Sequence, residues 1–492
     1  MSSGATLKAV ASTIPARLDR LPWSPFHTRM IIALGVAWVL DGIEITIASS
    51  VVGELTSPLT LGLSTTAAGG LATVYLLGEV VGALFFGAMS DKLGRRNLFM
   101  ITLSVYMIGS GLTFFTWGSG PGWVVFLYLT RFIAGLGIGG EYAAINAAID
   151  EMMPARYRGR VDIGINGTYW LGAIIGTLVA TGMLNLFISY PDWGWRVAFL
   201  VGPILGIAII LMRRGLPESP RWLMMHGREA EAEEAITDIE NRVRASGREI
   251  RPVGEEEAIV LKPGTNYGYW ALTRVLFKTY PQRAVLSASL MITQSFLYNA
   301  IFFTYVLVLT NFYGISVTTA PLFLIFFAIG NLAGPLLLGR YFDTIGRKFM
   351  ISGTYILSGV LLVISAWLFE IGAFNATTQT IAWCVIFFFA SAGASSAYLT
   401  VSEIFPIEVR AKAIAVFFSI GMGVGAFGPL FYGWLIGDGL DRTPMFIGYL
   451  IGAGIMMIGG VIEILFGINA EGQSLEDVAT PLSAAVETEM NA

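Results

Sequence analysis

The chain has 492 residues, 55% of them hydrophobic and only 13% charged, with a mean hydropathy of +0.69 and a net charge of −4. Soluble domains carry about 25% charged residues, so a water-soluble fold is excluded, and without a basic tract there is no footing for nucleic acid. What remains is a polytopic membrane protein.

Residues 1–29 are polar and contain no apolar core, so they are expected to stay in the cytoplasm without a cleaved signal peptide. Twelve apolar runs follow, at 30–52, 66–89, 98–117, 122–150, 162–188, 196–212, 284–311, 317–339, 349–369, 379–403, 412–437 and 443–467. A membrane helix needs about 20 residues to cross roughly 30 Å of hydrocarbon. The spans form two halves, 30–212 and 284–467, joined by a polar connector at 213–283 and followed by a tail at 468–492. Residues 213–280 hold 22 of the 64 charged residues, 11 of each sign. Within them GREAEAEEAITDIENRV has helical spacing and reads as a solvated helix rather than a binding domain.

The first span contains WVLDGIEIT, with Asp41 and Glu44 one turn apart. A carboxylate at the centre of a membrane helix costs about 2.5–3.5 kcal/mol on the insertion scale, so two of them require a reason. Glu79 sits midway through the second span and Arg131 in the fourth. Asp41 is about 18 Å from the inner end of its span and Arg131 about 14 Å from the outer end of its own, at 1.5 Å per residue. Both therefore lie near the midplane. Glu44 shares the helix face of Asp41, and such a cluster suits shared protons, a static buried ion pair, or contact with a cationic substrate. Glu141 and Glu463 lie closer to the inner ends of their spans.

The loops SDKLGRRN, PARYRGR, DTIGRK and IEVRAKA are basic, whereas WGSGPGW, NFYGISVTT and IGAFNATTQT have no Lys or Arg. This bias puts both termini in the cytoplasm. Cys384 has no partner for a disulfide, and His27 and His226 are expected in solvent, without metal-ligand spacing. No metal, cofactor or nucleophile–base pair is expected, which argues against an enzyme. GLGIGG (135–140) and GMGVGAFG (421–428) carry small-x-x-x-small spacing and read as close helix-packing faces.

Two motifs recur at one offset of 252 residues. GAMSDKLGRR from Gly87 answers GRYFDTIGRK from Gly339, aligning Asp91 with Asp343 and Arg95, Arg96 with Arg347, Lys348. EMMPARYRGR from Glu151 answers EIFPIEVRAK from Glu403, aligning Arg158 with Arg410. The halves are thus a duplicated six-helix unit, a pattern of secondary transporters. The glycines admit close approach of helices, the aspartates can face a neighbouring helix N-terminus, and the arginines can pair with Glu151 and Glu403. These residues are read as a gate at the inner mouth.

The same motifs, with RFIAGLGIGGE from Arg131, PESPRWL from Pro217, SEIFP from Ser402 and GQSLED from Gly472, resemble the major facilitator superfamily and its sugar-and-other-metabolite branch. The resemblance implies an all-α fold of twelve transmembrane helices in two pseudo-symmetric six-helix halves, working by alternating access. It also implies that an aspartate in the first span, Asp41 here, is matched by the arginine in the fourth, Arg131, for proton coupling together with Glu44 and Glu79. Hexose-carrying members read Q-Q-x-S-G-I-N in span seven; here Gln294 and Asn299 remain, but Phe296 and Leu297 replace the small pair. Where those members have Pro-Trp in span ten, this chain has Ala397-Tyr398. The departures favour a metabolite:proton symporter for an organic or aromatic acid over a sugar or polyol symporter. Gln294, Tyr298, Asn299, Phe302, Phe303 and Tyr398 are the expected substrate contacts. A drug exporter is disfavoured because span five lacks a Gly-Pro ending, and an uncoupled facilitator because of the carboxylates. A membrane sensor would need a larger cytoplasmic domain. The expected partners are protons, a small-molecule substrate and the lipid of the inner membrane, with the chain acting as a monomer.

Overall fold

A computed structural model describes residues 10–56, 60–63, 65–213, 217–261, 268–315, 320–407, 409–436, 439–480 and 482. Strand β1 (Val10–Ser12) and helix α1 (Ile14–Asp19) precede α2 (Pro25–Thr56), α3 (Thr65–Leu93), α4 (Arg95–Thr113), α5 (Pro121–Met152), α6 (Ala155–Gly167), α7 (Tyr169–Leu186) and α8 (Pro191–Arg213). The polar middle holds α9 (Pro220–Met225), α10 (Glu229–Ala245), β2 (Ile259–Leu261) and α11 (Tyr269–Arg274). After it come α12 (Pro281–Tyr313), α13 (Ala320–Thr344), α14 (Arg347–Glu370), α15 (Ala376–Glu403), α16 (Arg410–Gly425), α17 (Gly428–Ile436), α18 (Thr443–Phe466) and α19 (Leu475–Val478).

Among the described residues, ten helical stretches are long and apolar enough to cross a bilayer. Two of the twelve expected spans depart from that pattern. The span expected at 98–117 is α4, which ends at Thr113 and whose first turn carries Arg95, Arg96 and Asn97. The span expected at 412–437 breaks into α16 and α17, of 16 and 9 residues. Ile108, Leu129, Leu337 and Ile458, on four different helices, are more than half exposed, an apolar belt of the kind that faces lipid rather than water.

Glycine sets the helix spacing. A Cβ on Gly82 of α3 would stand 2.0 Å from the Leu136 carbonyl of α5, and one on Gly139 of α5 would stand 2.0 Å from the Glu79 carbonyl of α3. No side chain fits at either position, so the two backbones touch. The expected packing role of 135–140 is borne out there, and Gly421 repeats it against Met291 of α12. At Gly94 (φ 80°) and Gly346 (φ 122°) the chain turns into α4 and α14 through a conformation that disfavours residues with a Cβ.

The duplication is visible in the packing. Within each half the second helix lies on the fourth, α3 on α5 and α13 on α15. Across the seam, the second helix of each half lies on the broken fifth of the other, α13 on α6 and α3 on α16. The end of the bundle that carries Gly94 and Gly346 is called the basic end below.

The N-terminal arm folds back on the polar middle. β1 pairs antiparallel with β2, Val10 opposite Leu261, while Arg17 and Arg20 both bond to Glu240 of α10. Burial acts to raise the Glu240 carboxyl, but the hydrogen bonds from Arg17 and Arg20 outweigh it and hold the group below its ordinary 4.5. His27, expected in solvent, is instead buried. α2 begins at Pro25, ahead of the apolar run, so His27 falls in its first turn between Trp23 and Phe26, with Ser24 Oγ 2.9 Å from Nδ1.

Candidate functional site

Asp41 and Glu44 are buried on α2, but they face different partners. Glu44 pairs with Arg131 of α5. Tyr106 Oη donates to Glu44 Oε2 at 3.0 Å, and Ser110 Oγ lies 2.9 Å from Oε1, both from α4. The guanidinium lies over the Phe199 ring, 4.6 Å from its centroid. Among the described residues no cation pairs with Asp41: Tyr75 Oη of α3 donates to Oδ1 at 3.2 Å, and Tyr142 Oη of α5 donates to Oδ2. The pairing of Asp41 with Arg131 implied by the resemblance is therefore corrected. The arginine lies on the α4 and α8 side of α2, where Glu44 points.

Glu79 of α3 is also buried, and neither of its carboxylate oxygens has a hydrogen-bond partner among the described residues. The touching backbones of α3 and α5 hold it there, since Glu79 is the residue whose carbonyl abuts Gly139. The four acids and bases expected together are thus divided into a closed ion pair and two carboxyls without a cation.

Beside Asp41 the rings of both halves meet. Trp38 of α2 lies 4.5 Å from Tyr142 and 5.5 Å, edge-on, from Tyr398 of α15. Phe418 of α16 lies 4.9 Å from Tyr142. Of the expected contacts Tyr398 reaches the cluster, while Gln294 Nε2 of α12 lies 4.0 Å from the Met291 sulfur of its own helix. Tyr298 and Phe302 do not: they stand against Trp170 of α7, at 5.6 Å each, and Tyr298 Oη donates to Asn331 Oδ1 at 2.9 Å. Asn299 turns to α16, its Nδ2 3.7 Å from the Met422 sulfur. The side chain of Phe303 lies outside the described residues. The sequence reading missed Trp38, Tyr75, Tyr142, Trp170 and Phe418. Tyr75 and Trp38 had a signal, since each stands one turn from a buried acid, Glu79 and Asp41; the others had none beyond being aromatic.

At the basic end each half builds the same local set. Arg95 Nη2 meets Glu151 at 2.6 Å, and Arg347 meets Glu403 at 3.0 Å and Asp343 at 2.7 Å. These arginine–glutamate pairs stay within their own halves. The links across the seam are Arg158 to Glu403, at 3.5 Å, and the Arg160 backbone N–H to Asp343 Oδ2, at 2.8 Å. Arg410 donates to the Phe405 carbonyl at 3.2 Å, Gly87 is buried in α3, and Arg96 is exposed. The side chain of Asp91 lies outside the described residues. Glu141, which the sequence places toward the inner end of its span, pairs with Arg213.

Two acids cap the helices that follow the positive-φ glycines. Glu218 accepts from Arg95 N at 2.9 Å and Arg96 N at 3.2 Å, while Glu471 accepts from Arg347 N at 3.3 Å. Burial pushes the Glu218 carboxyl up, against the pull of the Ser219 and Arg95 N–H groups. Glu476 is the opposite case. Burial would raise it, but Arg221 and then Arg410 outweigh that and hold it low. Arg221 also reaches Asp19 at 2.9 Å and the Glu151 carbonyl at 2.9 Å, so the arm, connector and tail meet on one side chain.

Residues 34–481 match the Sugar (and other) transporter family. The niacin transporter NiaP of Acinetobacter baylyi is 25% identical over 466 residues, covering 94% of this chain and 99% of its own. The probable 4-methylmuconolactone transporter of Cupriavidus pinatubonensis is 24% identical over 408 residues, 82% of either chain. Among solved structures, the major facilitator superfamily proton:xylose symporter XylE of E. coli, bound to 6-bromo-6-deoxy-D-glucose, matches with a TM-score of 0.74 at 20% identity, over 92% of this chain and 98% of that one. At that identity the likeness speaks for the fold alone. With the family match running over nearly the whole chain, this is a multi-pass membrane transporter with the major facilitator fold, not an enzyme, and it belongs to the Sugar (and other) transporter family.

Proposed function

We propose that the protein takes up a small organic acid with a planar or aromatic body in symport with protons. The observation that carries this reading is that Asp41 and Glu79, buried and without a cation, border an aromatic cluster contributed by both halves. Carrying a carboxylate into a low-dielectric interior without a counter-charge costs several kcal/mol, and a bound proton abolishes that cost. An anion arriving beside two carboxylates is repelled unless protons have bound first. That ordering is symport. The Glu44–Arg131 pair is then the fixed part of the site and Asp41 and Glu79 the titrating part. Niacin and 4-methylmuconolactone, named for two relatives, are small ring compounds.

In this reading the halves 30–212 and 284–467 rock about the aromatic cluster, and Arg158, Glu403 and Asp343 hold the basic end shut. The Lys/Arg bias makes that end, and both termini, cytoplasmic in an inner membrane. A second reading draws on the same two carboxylates. Ring faces and acids also suit an organic cation, which would leave in exchange for protons. Proteoliposomes holding a pH dye separate the two. An aromatic acid that drives proton influx supports symport, and an organic cation that, added outside, drives proton efflux from acid-loaded vesicles supports exchange. Solute flux without proton movement overturns both.

A further inference from the structure

The seam between the halves is not sealed along its whole length. Beside the crossing of α6 and α13, where Gly167 abuts Pro335, a cleft of about 480 Å³ opens between α2, α6 and α13. Its body is apolar, and a Cβ on Gly164 would meet nothing within 4 Å. It runs along α2 from Ile31 to Val39, about 12 Å at 1.5 Å per residue, close to the roughly 15 Å of hydrocarbon in one leaflet. Ile32 and Leu336 on its walls are 53% and 56% exposed, so it opens sideways to the bilayer. None of Trp38, Tyr142, Tyr398 or Phe418 lines it.

At the basic end the cleft is flanked by Arg160 and Arg340, both exposed. The Arg160 guanidinium lies over the rings of Trp23 and Tyr157, at 5.5 and 4.5 Å, and that of Arg340 lies over Tyr341 at 4.6 Å. Asp343, on the same face, accepts from the Arg160 backbone N–H and pairs with Arg347. Neither guanidinium is bonded to a carboxylate among the described residues. The opposite seam differs: the groove along α3 is bordered by Tyr269, whose hydroxyl donates to the Leu84 carbonyl, and Lys92 is the cation lining it.

We infer that the α2–α6–α13 cleft binds an anionic phospholipid, its phosphate between Arg160 and Arg340 and one acyl chain along the apolar wall. Arg340 Nη2 also donates to the Tyr341 hydroxyl. Charge decides for an anionic lipid over a neutral one, because two guanidiniums without a carboxylate partner stand where headgroups lie. Trp23 supplies the ring that such interfaces favour. The lipid touches α6 and α13 together, and so bridges the two halves.

The test is thermal unfolding of the purified protein in neutral detergent, with added phosphatidylglycerol, phosphatidylcholine of the same chains, or inorganic phosphate. Phosphatidylglycerol should raise the melting temperature by several degrees more than phosphatidylcholine, and phosphate should not. The double variant Arg160→Gln/Arg340→Gln should lose that difference, Arg160→Lys/Arg340→Lys should keep most of it, and Gly164→Phe, which fills the open space, should abolish it. Equal shifts by the two lipids, a shift reproduced by phosphate, or an undiminished lipid response in the glutamine variant would each overturn the assignment.

Discussion

At the scale of single residues, Asp41 and Glu44 are one turn apart and do different work. Glu44→Gln leaves Arg131 buried without its counter-ion, and breaking such a pair costs about 3–5 kcal/mol. Denaturant titration of the variant in detergent should show that loss. Asp41→Asn keeps an oxygen to accept from a tyrosine, so its stability should stay within about 1.5 kcal/mol of the parent, while solute-driven proton influx disappears. If Asp41→Asn transports protons normally, the coupling role passes from it. The presence of these charges was legible in the sequence because acids and an arginine inside apolar runs are costly. Their pairing was not, because the rotation of α2 about its own axis decides whether Arg131 meets Asp41 or Glu44. Tyr142 and Phe418 were illegible for another reason: an aromatic residue in a membrane helix packs against lipid, core or ligand with the same letter.

At the scale of elements, glycine and charge act at different depths. Gly82→Leu forces a side chain into the Leu136 carbonyl and should prevent α3 from seating on α5, read as loss of monodisperse protein. Gly454→Ala places its Cβ where nothing lies within 4 Å, so its melting temperature should stay near that of the parent. The arm–connector–tail clasp depends on pH. Glu240 and Glu476 are both held below 4.5 in the folded chain. A depressed acid stabilises the folded form above its unfolded value and loses that contribution as pH falls through the folded one. Hydrogen exchange in α10, corrected for intrinsic rates, should therefore be flat from about pH 8 to 6 and rise below about pH 4.5. The helix at 229–245 was legible from its spacing; β1 was not, because the strand it pairs with lies far along the chain.

At the scale of the whole molecule, the repeat of 252 residues foretold two like halves but not how they lock. The alignment of Arg95 with Arg347 is internal to the halves, whereas Arg158 and Asp343 cross the seam, and a register of repeats cannot distinguish the two. Replacing both, as Arg158→Gln with Asp343→Asn, should favour opening of the basic end. A cysteine at Ser402, buried there, in a Cys384→Ser background, should then react with a water-soluble maleimide about tenfold faster, the change that roughly 1.4 kcal/mol produces. An unchanged rate would mean that the seam is held elsewhere.

The pairing of β1 with β2 also sets an order of assembly during synthesis. Ser12 waits for Ile259, a delay of roughly 12–50 s at 5–20 residues per second. By then α8 is complete, so the arm closes over a finished first half before most of the second half exists. α19 is the last element described, and its Glu476 reaches Arg221 only after the described membrane helices, α2 to α18, have been made. The side chain that gathers arm, connector and tail thus gains its last carboxylate partner only after α18 has been made.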